Sequence, residues 1–162
     1  MSLFQPLTTR QANAALALLR VIAGATFIAH GAQKLFVFGL GGVAGSFAQM
    51  GVPAAGVMGP FIALLEFFGG IALVFGLLTR LAGLGLAFDM LGAMLLVHLK
   101  NGFFLPRGYE FVLALFAMSA ALAVAGAGEF SLDALIGRRK GLVGTTATPL
   151  PSSSPSRARH AA

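Results

Sequence analysis

Nine side chains in this 162-residue sequence place ionisable chemistry in or beside apolar runs. Arg20, His30, Glu66 and Asp89 lie well inside those runs. Lys34, His98, Lys100, Tyr109 and Glu110 lie near their ends. A charge at the centre of a membrane helix costs roughly 2.5–3.5 kcal/mol on the insertion scale, so its retention asks for a reason. Carboxylates and imidazoles in apolar surroundings can relay protons, and they can hydrogen-bond the carbonyls of an apolar ligand such as a quinone. The same residues, paired as Arg20–Glu66 and Lys34–Glu110, could instead only fix helix register.

Helical phase, at about 100° per residue, sorts these groups. Arg20, Phe27, His30, Gly31 and Lys34 share an arc of about 100° on a first helix. Glu66 shares its face with Gly59, Gly69 and Gly70, small residues that let a neighbouring backbone approach. Glu66 is thus expected to point into a bundle, with Arg20 or His30 as partner. Glu110 shares a stripe with Ala114, Ala117 and Ala121. Asp89 and His98 are nine residues apart, about 180° on a straight helix, so both cannot face one site unless the helix bends. The His98 face is expected to turn to the bundle centre, leaving Asp89 for a subunit or partner contact.

The elements that position these residues are helices in a membrane. Apolar residues make up 57% of the chain and charged residues 10%, too few to cover a soluble surface. The apolar runs predict spans over about 14–36, 57–78, 81–99 and 108–126, each near the ~20 residues that cross the hydrocarbon. They are too long, and lack the alternation, for barrel strands. The expected fold is all-α, a polytopic four-transmembrane-helix bundle within 14–136. Residues 1–13 form a cytoplasmic N-terminal segment, and 137–162 a basic, disordered cytoplasmic tail. Six glycines and a proline at 37–56 argue for an outer loop, with Val43–Met50 as a short interfacial or re-entrant helix.

An even number of spans puts both termini on one side with Arg10, Arg20, Arg80, Arg138, Arg139, Lys140, Arg157 and Arg159, against Lys34, Lys100 and Arg107 on the other. Eight against three predicts cytoplasmic termini. The net charge of +6 reflects these flanks, not a basic patch with interleaved aromatics, so nucleic acid is excluded as a partner. The sequence has no cysteine, which removes disulfides and thiol relays. Two lone histidines on separate helices are more often hydrogen-bonded bundle residues than ligands, so no metal is expected.

The strings LLRVIAGATFIAHGAQKLF, GSFAQMGVP, LEFFGGIALVFGLLTR and HLKNGFFLPRGYEF resemble the DoxX family of small bacterial four-helix membrane proteins, over about residues 14–136. The family's pattern falls on Arg20, His30, Gly31, Lys34, Glu66, Gly69, Gly70, Thr79, Arg80, His98, Tyr109 and Glu110. Asp89 stands outside it. The resemblance implies a bacterial inner (plasma) membrane location. It also implies a redox setting: the family is related to the small subunit of thiosulfate:quinone oxidoreductase, and members associate with oxidative-stress and thiol-handling partners. The missing cysteines separate this chain from the four-helix quinone-linked disulfide oxidoreductases.

The reading that follows is a membrane subunit of an oxidoreductase complex with a polar pocket in the outer half of the bundle. Glu66 and His30 exchange protons there, and Arg20, Lys34, His98, Tyr109 and Glu110 bind a loosely held quinone. Its partners are the bilayer and soluble redox proteins, with room for association between copies. The rival is a non-enzymatic scaffold or small-solute carrier that docks redox partners through the glycine-rich stretch 37–56.

Overall fold

A computed structural model describes residues 7–139 and 141. The described residues form six α-helices: α1 (Thr9–Ala32), α2 (Gly39–Gln49), α3 (Ala55–Phe75), α4 (Thr79–Ala93), α5 (Glu110–Ala125) and α6 (Leu132–Arg139). π-helical turns at Gln33–Phe38 and Met94–His98 extend α1 and α4, and a 3-10 turn follows at Leu99–Asn101. The expected tail from residue 137 falls mostly outside the described residues, and α6 carries the chain to Arg139.

α1 starts earlier than its apolar run because Thr8 and Gln11 form a capping box, each side chain meeting the other's backbone. The helical stretches 9–49, 55–75 and 79–101 are each long and apolar enough to cross a membrane. α5 has 16 residues and reaches about 24 Å. The chain is therefore an integral membrane protein built as a helical bundle. α1 packs on α3 and α5, and α4 packs on the same two helices, which closes a four-helix ring. Phe36, Phe68 and Phe75 face outward, where lipid replaces water.

Within 37–56, where an outer loop with a short helix at Val43–Met50 is expected, the helix is longer, Gly39–Gln49. Gly39, at φ 69° and ψ 159°, breaks the axis of the first helix, and α2 then runs from Gly39 to Gln49. α2 lies on the start of α3, where a Cβ on Gly59 would stand 3.1 Å from the Ala44 backbone. Gly59 of α3 allows this close packing, since nothing lies within 4 Å of a Cβ built on Gly41 or Gly45, and the tertiary contact offsets the poor helix propensity of the α2 glycines.

Glycines set the spacing and register of the bundle. A Cβ on Gly24 would lie 2.7 Å from the Gly70 carbonyl, and one on Gly31 would strike the Phe67 backbone nitrogen. Gly69 meets the Leu86 side chain on α4. Gly83 on α4 meets Ser119 and Ala123 on α5, with backbone atoms 2.9 Å from a built Cβ. The three glycines on the Glu66 face thus touch α2, α4 and α1 in turn, which centres Glu66 among three helices.

The terminal end of the bundle, where α1 begins and α6 lies, is closed by hydrogen bonds from the segment after α5. Glu129 N donates to Asn13 Oδ1 at 3.2 Å, and Arg20 Nη2 donates to the Phe130 carbonyl at 2.6 Å. Asp133 caps α4 from 54 residues away. Its Oδ1 accepts from Leu78 N at 2.8 Å and its Oδ2 from Thr79 N at 3.0 Å. This cap helps hold Leu78, a non-glycine residue at φ 48°.

Gly31→Ala is expected to lower the stability of the detergent-solubilised protein by about 1–3 kcal/mol, since the methyl meets backbone and not a yielding side chain. Gly45→Ala, where nothing lies within 4 Å of a built Cβ, should be neutral or slightly stabilising in the same denaturation experiment. Asp133→Ala removes the α4 cap and is expected to cost about 0.5–2 kcal/mol. Hydrogen exchange should show protection lost first at the Leu78 and Thr79 amides.

Candidate functional site

The pairing of α1 with α3 decides which charges meet. Gly31 lies against Phe67, and Gly24 against Gly70 and Val74. In this antiparallel register Glu66 is level with the last turn of α1, and Lys34 lies just beyond it in the π-helical turn. Lys34 Nζ donates to Glu66 Oε2 in a salt bridge, with the Glu66 side chain 5% exposed and that of Lys34 20%. The expected partners of Glu66 were Arg20 and His30, and Lys34 was set against Glu110. The structure corrects both pairings.

Arg20 shares the Lys34 face of α1 but sits fourteen residues earlier, about 21 Å along the axis. It lies at the terminal end, with its guanidinium over Gly76 and bound to the Phe130 carbonyl. Gly76, at φ 65°, ends α3 in the left-handed conformation and leaves the room Arg20 fills.

At the opposite end the bundle opens into a cavity of about 570 Å³. Its wall is mostly aromatic and aliphatic. His30, Lys34, Glu66, Asp89 and His98 are its polar side chains. His30 faces the Phe111 ring at a centroid distance of 5.9 Å. His98 Nδ1 lies 3.0 Å from the Arg107 carbonyl. That bond places the proton on Nδ1 and leaves Nε2 of a neutral ring as an acceptor.

Asp89 is the residue that sequence reasoning assigned elsewhere. It is 8% exposed, lines the cavity with Glu66 and Lys34, and interacts with both. Its Oδ2 is buried and has no hydrogen-bond donor among the described residues. Asp89 and His98 were expected on opposite faces, yet both line this cavity. The π-helical turn at Met94–His98 is the reason. Its wider i→i+5 pitch advances less per residue than an α-helix and swings His98 back toward the Asp89 side. The signal available in the sequence was an unexplained aspartate in the middle of an apolar span.

Tyr109 and Glu110 do not line the cavity. Tyr109 packs on the core and edge-on to Phe103, with ring centroids 5.3 Å apart. Glu110 opens α5, and its Oε1 accepts from Leu105 N at 2.7 Å, tying the loop before the helix to its positive end. Both residues brace the cavity rim. Of the seven predicted site residues, His30, Lys34, Glu66 and His98 come together and Arg20, Tyr109 and Glu110 do not. Among the described residues no group of three or more His, Cys, Asp or Glu side chains could hold a metal ion.

Comparison with known proteins agrees with the architecture. A protein of Bacillus subtilis named putative oxidoreductase CatD is 35% identical over 128 residues, covering 78% of this chain and 91% of that protein. The inner membrane protein YqjF of Escherichia coli is 34% identical over 132 residues, covering 74% of this chain and 90% of that protein. An uncharacterised membrane protein of Mycobacterium tuberculosis is 30% identical over 135 residues, covering 75% and 80%. No solved structure matches the chain. The DoxX family profile matches residues 15–99, a stretch that holds the Lys34–Glu66 salt bridge and Asp89, and the chain belongs to the DoxX family.

Proposed function

We propose that this protein is a redox-associated membrane subunit whose cavity takes the headgroup of a quinone, with Lys34, Glu66 and Asp89 as its polar floor. The carrying observation is an apolar cavity of about 570 Å³ with one charged cluster at its base. That volume falls within the ~300–1,000 Å³ of small-molecule sites, whose lining is apolar with a few placed polar groups. The name of the Bacillus relative, a putative oxidoreductase, is in keeping with this reading. The Escherichia coli relative's location supports the bacterial inner membrane, and the arginine and lysine asymmetry supports cytoplasmic termini.

A bound quinone supplies the capacity to accept electrons and protons together at its two oxygens. The residues of the chain supply the rest. Phe111, Phe88 and Phe61 offer flat apolar wall to a ring. Lys34 holds Glu66 in one orientation, which keeps a carboxyl oxygen at the cavity floor. His30 and His98 lie higher in the wall, where each can take or give a proton. Arg20, placed at the other end, has no part in this site.

The competing reading, a scaffold docking partners through 37–56, loses its motive because that stretch is largely α2 packed on α3. Redox partners of the subunit would engage other surfaces.

Titration of the purified protein in nanodiscs with a short-chain menaquinone or ubiquinone analogue should give saturable binding. Glu66→Gln and Lys34→Met should each weaken it about tenfold or more, which corresponds to about 1.4 kcal/mol. Arg20→Lys should leave it unchanged. Absence of saturation, or binding indifferent to Glu66→Gln, would overturn the proposal.

A further inference from the structure

The cluster at the cavity floor is unbalanced in charge. Three ionisable side chains meet there, one ammonium and two carboxyls. Lys34 is committed to Glu66 Oε2. Asp89 has no cation of its own, and its Oδ2 is sealed from solvent with no donor among the described residues, although the Glu66 carboxyl faces it. Two carboxylate oxygens do not pack against each other in an apolar interior without a hydrogen between them. A buried oxygen whose neighbour is another carboxyl is satisfied when one of the two carries a proton and donates to the other. The remaining charged and titratable groups at the cavity are His30 on α1 and His98 on the π-helical turn after α4. Among the described residues neither makes a hydrogen bond to Asp89.

We infer that Asp89 and Glu66 share one proton, so that Lys34, Glu66 and Asp89 form a neutral trio carrying a single exchangeable hydrogen inside the membrane. Asp89 is then a second proton-holding residue of the site, and its carboxyl acts together with that of Glu66. Loss of the proton breaks one O–H bond, forms one on the accepting oxygen at the cavity, and leaves the trio with one net negative charge. No electron moves in that step. The trio can supply one proton, and a second must come through His30 or His98. Bearing on proton exchange with a cavity ligand, the inference rests on the proposed function. The shared proton itself is tested without any ligand.

Infrared difference spectroscopy of the full-length protein in lipid, in light and heavy water, reads protonated carboxyl groups directly. The wild type at neutral pH should show the carbonyl stretch of one buried protonated carboxyl. Asp89→Asn and Glu66→Gln should each abolish it, because one carboxylate and Lys34 then balance without a proton. Lys34→Met should raise it to about twice the wild-type intensity, since two carboxyls then lack a cation. A wild-type spectrum without that band, or a band that survives Asp89→Asn, would overturn the inference. The wild-type arm needs no variant to fold. A band lost in Asp89→Asn but unmoved by an added menaquinone analogue would support the shared proton and sink the quinone reading alone.

Discussion

The close approach of α1 and α3 through Gly24, Gly31 and Gly70 is the contact on which the rest of the bundle depends. In lipid there is little hydrophobic force between helices, so backbone proximity at small residues does most of the work of association. That contact fixes more than distance. It fixes the sliding register of the two helices, and register decides the depth at which each charge is held. Lys34 and Glu66 pair because they are held at one level, and Arg20 is kept from Glu66 because it is not. The salt bridge is a consequence of the glycines and not their cause. A buried pair seldom contributes enough to position two helices by itself.

The two ends of the bundle use their polar residues differently. At the terminal end Asn13, Arg20 and Asp133 each hold backbone of a distant segment. These residues satisfy groups that the fold itself exposes: a helix start at Leu78 and Thr79, and carbonyls and amides after α5. At the other end packing is withheld. Phe27, Met90, Val112 and Leu115 belong to the core and also form the cavity wall, so the core stops there and open volume begins. Two π-helical turns flank that volume, one carrying Lys34 and the other His98. π turns inserted in α-helices recur where function requires a side chain to be re-aimed.

Helix class, approximate span limits and the inward direction of Glu66 were legible in the sequence, because hydropathy and angular phase depend only on local spacing. The stripe on α1 from Arg20 to Lys34 is real, but phase gives a face and not a height. For that reason Arg20 was grouped with residues some 21 Å away along the axis. Height follows from which glycine meets which backbone, a property of two helices together that neither sequence segment contains alone. The placement of Asp89 failed for another reason. Opposing it to His98 assumed an unbroken α-helix, and Met94–His98 is not one. Composition understated the helix within 37–56, because its packing against Gly59 of α3 is a tertiary contact that outweighs the low propensity of its glycines. Glu110 and Tyr109 were read as site residues from their position at the span's end. Their side chains are turned to the loop and the core by the start of α5.

A cluster of one cation and two carboxyls at the base of an apolar cavity is a poor way to stabilise a membrane bundle. Each charge carries a desolvation cost, and apolar side chains of similar volume would pack better. At the terminal end Arg20 and Asp133 are held by hydrogen bonds to backbone, although Arg20 Nε and Nη1 and Thr79 Oγ1 are buried without a partner among the described residues. The contrast within one molecule is therefore informative. The charges at the cavity are bound to each other and to no backbone among the described residues, whereas those at the terminal end are bound to backbone. Side chains that bind one another across three helices, next to open apolar volume, are arranged for a partner that comes and goes. A molecule matched to that space would have an apolar body and one polar edge directed at Glu66 and Asp89.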